Sequence, residues 1–279
     1  MVNFIYLAHS KERFRNQAVF SVLSLLEYLI NSAIDYRVIV YTDQPEYFSS
    51  IEVETVLIGQ GELIEWKGDV GFVHRMKICL LQDAAKRFDG RLFYLDTDNC
   101  VFQNPISLLN NWKSDTVFMS SLEYVLENPA DLVGKKYKRF FKKQSQFNGK
   151  TQPYNVTQKQ ECLNAGVIGL PREAIQYLPD VLALCDEMHK VFPKHLSEQM
   201  AFNIVMGHHF RLAGFSNFSY HWFGHGQAIN RIIDKLLVRY PNQSLNELIE
   251  KVSDVKHEVI NAPLNPDKQS WYKRWFSIR

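Results

Sequence analysis

The chain has 279 residues, 46% hydrophobic and 22% charged, enough for one large α/β domain or two smaller ones with a sizeable core. Its net charge of +2 argues against a dedicated nucleic-acid binder, so no nucleic-acid partner is expected. Cys79, Cys100, Cys162 and Cys185 are widely spaced with no C-x-x-C pair, which excludes a disulfide framework and a cysteine zinc site.

The opening MVNFIYLAHSKERF has a short apolar run with no basic lead-in and no small-residue cleavage site. It reads as a first strand over residues 3–8 rather than a signal peptide. A helix over 13–30 follows, because Val19, Val22, Leu23, Leu26, Leu29 and Ile30 repeat at three- and four-residue steps. Strands are expected at 36–43 and 51–59, a second helix at about 73–88, and a strand at Leu92–Leu95 that stops at two acids. Strands alternating with helices predict a mostly parallel, twisted sheet flanked by helices, in which ligands bind beyond the carboxyl ends of the strands. Asp43 and Asp96 stand at two such ends.

From Leu132 to Gln160 the chain has no Asp or Glu, while Lys135, Lys136, Lys138, Arg139, Lys142, Lys143, Lys150 and Lys159 are all present. This stretch reads either as a solvated mobile loop or as a lid that closes over an anionic ligand, and Tyr137, Phe140, Phe141 and Phe147 make it too apolar for a plain linker. Further elements are NAGVIGLP, a helix at about 174–191, SEQMAFN, YHWFGHGQ, a helical pattern from Ala228 to Val238 and a polar helix. The terminal WYKRWFSIR (271–279) interleaves aromatics with cations and suits either packing on the protein or peripheral contact with an anionic membrane. No apolar stretch approaches the roughly 20 residues of a membrane span. A cytoplasmic location is expected, with contact at the inner membrane face.

The segment RLFYLDTDNCVF carries the sharpest chemistry. Asp96 and Asp98, one residue apart after an apolar strand, repel each other unless a hard divalent cation lies between them. A D-x-D alone is a weak pattern, and phosphatases that use a strand-end aspartate as nucleophile share its letters. Here, however, Cys100 fills the fifth position, and no convincing downstream G-D-x-x-x-D follows. Gly59-x-Gly61 lacks the third glycine of a dinucleotide fingerprint.

HRMKICLLQDAAKRFDGRLFYLDTDNCVFQNPISLL resembles the core of metal-dependent nucleotide-sugar glycosyltransferases of the GT-A fold, most of all glycosyltransferase family 8 and its neighbours. CLNAGVIGL (162–170) resembles that family's N-[SA]-G-V strand, and HWFGHGQ (221–227) resembles its H-x-x-G-x-x-K segment. The similarity covers roughly residues 3–231. It implies a GT-A catalytic domain over 1–230, with a nucleotide-sugar half at 1–104 and an acceptor half at 105–230, followed by a helical, basic-aromatic extension at 231–279.

The resemblance implies that Asp96, Asp98 and His221, with His225 as an alternative, hold Mn²⁺ or Mg²⁺. Ala8, His9, Ser10 and Asp43 would lie at the base of the nucleotide. Arg75 and Lys77 would reach the donor, together with Thr97, Asn164, Ala165, Gly166, Gly224 and Gln227. Glu198, Gln199 and Asn164 would stand at the reacting sugar. The implied reaction moves a hexose from a nucleotide sugar, UDP-linked, to a glycan, glycolipid or protein hydroxyl with retention; an inverting enzyme would need Glu198 as base. Gln227 departs from the family's lysine, leaving Arg231 or the basic stretch to face the diphosphate. Two other readings stay open: a sugar nucleotidyltransferase, for which AHSKERF lacks the Gly-rich loop, and a non-catalytic nucleotide-sugar or glycan-binding protein.

Overall fold

The computed structural model describes residues 1–129, 131–222, 226–239 and 244–262. In chain order the elements are β1 (Val2–Ala8), α1 (Glu12–Leu29), β2 (Tyr36–Thr42), β3 (Glu54–Leu57), α2 (Gln60–Lys67), α3 (Arg75–Arg87), β4 (Arg91–Leu95) and β5 (Asn99–Val101). Then come α4 (Ile106–Asn110), β6 (Thr116–Met119), β7 (Leu122–Val125), α5 (Leu132–Lys143), β8 (Gln146–Asn148), β9 (Pro153–Asn155), β10 (Glu161–Leu163) and β11 (Val167–Leu170). The rest are α6 (Leu178–Val191), α7 (Ser197–His209), β12 (Arg211–Gly214), β13 (Ser219–His221), α8 (Gly226–Arg239) and α9 (Leu245–Ile260). The main sheet has seven strands in the order β12-β6-β11-β4-β1-β2-β3, mostly parallel and flanked by helices. β11 runs antiparallel to β6, whereas β12 and β6, and β2 and β3, run parallel.

The chain divides into two compact units, each built from separate segments. The first comprises Met1–Asn3, Ile58–Tyr94 and Trp112–Phe215; the second comprises Phe4–Leu57, Leu95–Asn111 and Ser216–Arg279. The expected boundary at residue 230 falls inside α8.

In the second unit, α1 is the central helix. Ala18, Phe20, Val22, Leu23, Leu25 and Leu26 are all buried, so the helix is covered nearly all round, and α8 and α9 pack on it. Its buried polar side chains are paired: Asn16 Nδ2 donates to Asp234 at 2.9 Å, and Gln17 Nε2 donates to Asn230 at 2.8 Å. Ser24 Oγ accepts the backbone N–H of Val101 at 2.9 Å, tying β5 to α1. These bonds offset the desolvation cost of buried polar groups.

In the first unit, the acid-free basic stretch is helical over Leu132–Lys143, not a loop. Asp131 caps its N-terminus by accepting from Gly134 N. Gly134, Tyr137 and Phe141 turn inward at helical spacing, and Phe140 stacks on Phe192 with ring centroids 4.6 Å apart. β8 and β9 then form a short hairpin with Phe147 opposite Tyr154, both buried. The charge count suggested a solvated loop, but the aromatic periodicity decides the structure. The next helix starts later than its pattern predicts: Arg172–Tyr177 is a 3₁₀ turn, and α6 begins at Leu178 with a proline in its first turn. Among the described residues, no helix is long and apolar enough to cross a membrane.

Candidate active site

β4 delivers the acid pair. Its residues Leu92–Leu95 are buried, and the strand ends where Asp96 begins a turn. Thr97 is buried and its Oγ1 lies 3.3 Å from Gln17 Oε1, so the residue between the acids is anchored on α1. Asn99 Nδ2 donates to the Asp96 carbonyl at 3.3 Å, which tightens the turn into β5. β13 pairs antiparallel with β5 and sets His221 opposite Asn99. One residue on, Trp222 N donates to the Asp98 carbonyl at 3.1 Å, and the buried Trp222 ring meets Phe20 edge-on at 6.1 Å. A two-strand ladder and one anchored tryptophan therefore carry His221 across 123 residues of sequence to Asp98.

His221 Nε2 lies 3.2 Å from Asp98 Oδ1 and 3.9 Å from Asp96 Oδ2. One ligand atom from each of the three side chains falls within 4.8 Å of the others. The side chains are 25%, 27% and 14% exposed for Asp96, Asp98 and His221, so the cluster is open to a small ligand. Two carboxylates and an imidazole fit Mn²⁺, and the carboxylates alone suit Mg²⁺. With His221 neutral the cluster carries two negative charges, which one divalent cation balances.

In the same unit, the residues after β1 and β2 meet. Ser10 adopts a left-handed backbone with φ of 70°, and its N–H donates to Asp43 Oδ2 at 2.9 Å. His9 Nδ1 lies 2.6 Å from Ser10 Oγ, and Arg15 donates to Asp43 Oδ1 at 3.0 Å. Ala8 is buried at the strand end. A non-glycine residue held at positive φ is strained, and such strain gathers at ligand-binding turns.

The first unit holds a second polar cluster. Lys77 on α3 and Glu198 on α7 are both buried and approach to 3.2 Å; Lys77 Nζ also donates to the Ala165 carbonyl at 2.8 Å. Gln199 Oε1 accepts the Ala165 N–H at 3.3 Å, while Gln199 Nε2 donates to Glu123 Oε2 at 2.9 Å. Asn164 Nδ2 donates to the other oxygen of Glu123 at 3.0 Å, and Asn164 Oδ1 accepts the Gly166 N–H at 2.8 Å. Buried Asn203 on α7 clamps Leu163 at both its N–H and its carbonyl, at 2.8 Å each. The loop from Asn164 to Gly166 is thus fixed from two sides. Glu123 was not among the sequence candidates, yet it orients both Asn164 and Gln199.

No protein-family model matches the sequence, and no curated protein matches it. Solved structures do. The galactosyltransferase LgtC, in complex with donor and acceptor sugar analogues, aligns over 96% of this chain and 99% of its own, with a TM-score of 0.55 at 9% identity. An active-site mutant of LgtC aligns over 76% of this chain and 72% of its own, with a TM-score of 0.50 at 10% identity. The fold is GT-A.

Other nominated residues have various settings in this GT-A chain. Arg75 makes a two-pronged ion pair with Asp186, at 2.7 and 3.1 Å, and donates to the carbonyls of Glu65 and Trp66. The hydrogen bond to Asp186 raises the pKa of its guanidinium. Gln227 and Arg231 are exposed on α8. Gly224 and His225 lie outside the described residues, as does the basic-aromatic segment 271–279.

Proposed function

We propose that this chain is a metal-dependent glycosyltransferase that moves a hexose from a UDP-linked nucleotide sugar to a hydroxyl of a glycan or glycolipid-type acceptor, with retention of anomeric configuration. The observation that carries the reading is the convergence of Asp96, Asp98 and His221 at the carboxyl end of β4 in a GT-A fold. LgtC, a galactosyltransferase captured with donor and acceptor sugar analogues, supports the substrate class. The cytoplasmic location expected above belongs to the same reading.

Held by Asp96, Asp98 and His221, Mn²⁺ or Mg²⁺ would supply Lewis-acid stabilisation of the charge on the departing nucleoside diphosphate. The chain's own groups would bind and orient. The turn at His9 and Ser10, locked onto Asp43, would take the base. Asn164 and Gln199, both oriented by Glu123, would hydrogen-bond sugar hydroxyls, and Ala165 and Gly166 would bring backbone to the ring. Lys77 would act by fixing Glu198 and the Ala165 carbonyl. Glu123 and Glu198 are both engaged by protein donors, which favours transfer without a dedicated general base. The acceptor oxygen would bond to the anomeric carbon as the bond to the diphosphate breaks, and the hydroxyl proton would pass to the diphosphate.

The test is release of UDP from a panel of UDP-hexoses, with Mn²⁺, with Mg²⁺ and with EDTA, followed by NMR of the anomeric configuration in any transfer product. Asp98→Ala should lose divalent-dependent release by about a hundredfold or more. Full activity in that variant, or in EDTA, would remove the metal role. Pyrophosphate release from a nucleoside triphosphate would instead mark a nucleotidyltransferase, and binding without turnover a binding protein.

A further inference from the structure

The outer face of α5 is cationic and lacks counter-charge. Lys135, Lys136, Arg139, Lys142 and Lys143 are exposed, while the opposite face buries Gly134, Tyr137 and Phe141. Their three- and four-residue spacings place like charges side by side along a helix about 18 Å long. No ion pair reaches any of the five among the described residues. Asp131, the acid just before the helix, spends its side chain on the N-cap. The Lys138 ammonium turns away from this stripe to the Glu127 carbonyl.

Apolar side chains border the same face. Leu132, which helical spacing puts in line with Lys135, Lys136 and Arg139, is 65% exposed. Phe140 stacks on Phe192, and the neighbouring Val191 is 52% exposed. Lys190 and Lys194 flank that turn, with the Lys194 ammonium 5.8 Å from the Phe192 ring centroid.

We propose that this face, α5 together with Val191 to Lys194, docks on an anionic lipid bilayer. Mutually repelling cations gain from neutralisation by headgroup phosphates, and exposed Leu132 and Val191 gain by entering the interface between them. A soluble polyanion would satisfy the cations but leave the apolar border in water. The bilayer alone uses both halves of the surface. The docking face does not depend on the donor site or on the segment 271–279.

The experiment is co-sedimentation of the full-length chain with phosphatidylcholine vesicles, with and without phosphatidylglycerol. Binding is expected only with the anionic lipid, and it should weaken as salt rises. Combining Lys135→Glu, Arg139→Glu and Lys142→Glu should cut partitioning at least about tenfold; a change below twofold overturns the proposal. The milder Lys→Gln and Arg→Gln set at these positions, expected to lose roughly fivefold per cation near the surface, decides the matter if the reversed set misfolds. Folding is followed by far-UV circular dichroism. Leu132→Ser with Val191→Ser should weaken vesicle binding while leaving binding to heparin unchanged. If vesicle and heparin binding instead change together in every variant, the occupant is a soluble polyanion and the bilayer proposal fails.

Discussion

Glu123 accepts from two amides at once, Asn164 through one oxygen and Gln199 through the other. Removing it leaves the Gln199 amide on α7 and the half-buried Asn164 amide of the loop without their acceptor, at a cost of about 1–3 kcal/mol for each group left unsatisfied. Glu123→Ala should therefore lower kcat/KM for the donor by about 10- to 100-fold, while Glu123→Gln, which keeps one acceptor, should lose less. Equal activity in both variants would show that the amides orient themselves. This residue was hidden in the sequence because its partners lie 41 and 76 positions away and it forms no short motif with either. Asp96 and Asp98 were legible because a strand end and an i, i+2 spacing are local properties. His221 was legible only through the order of motifs. The physical reason for its position, the ladder that sets it opposite Asn99, appears only in the fold.

At the scale of elements, two carboxylates of α6 fasten the hairpin β8–β9: Glu187 accepts from Asn148 N at 2.7 Å, and Asp180 holds the turn and Tyr154. Asp180 is fully buried and accepts from Thr151 N at 2.7 Å, Thr151 Oγ1 at 2.6 Å and Tyr154 OH at 2.6 Å. Burial pushes its pKa up, but the hydrogen bonds from Thr151 and Tyr154 outweigh burial and hold it below the usual carboxylate range. A depressed folded pKa gives stability that is complete above the unfolded value of about 3.9 and fades as pH falls through the folded one. Asp180→Asn should thus cost about 2 kcal/mol at neutral pH, and the gap to the native chain should close in strong acid. Denaturant melts at several pH values measure it; a gap independent of pH would contradict the assignment. His209, stacked on Tyr177 and 3.1 Å from Tyr154 OH, has its pKa lowered by burial and by His208. Its share of stability begins to fall sooner, as pH drops below about 6.5. None of this was readable from sequence, where Asp180 is an ordinary polar residue at a helix start. The helical form of α5 was not legible for a related reason: charge is counted along the chain, but burial is decided around the helix.

For the whole molecule, alternation of strands and helices was enough to predict a mostly parallel sheet, because each period is local. The antiparallel β11 and the division into two units built from separate segments were not predictable, since both depend on pairings between distant stretches. That division has a thermodynamic consequence. The chain passes between the units at residues 3/4, 57/58, 94/95, 111/112 and 215/216, so neither unit is a continuous stretch of chain. A single cooperative transition is therefore expected on heating. A ligand held by Asp96, Asp98 and His221 should stabilise all of it by mass action. At a hundredfold excess over its dissociation constant that amounts to about 2.7 kcal/mol, or roughly 5 °C in Tm for a chain of this size. UDP with Mn²⁺ should produce that shift, UDP with EDTA much less, and UDP with Mn²⁺ on Asp98→Ala no more than UDP alone. Two separate transitions, only one of which moves, would show that the interleaved segments do not couple the units. A shift of equal size in EDTA would place the nucleotide somewhere other than the acid pair.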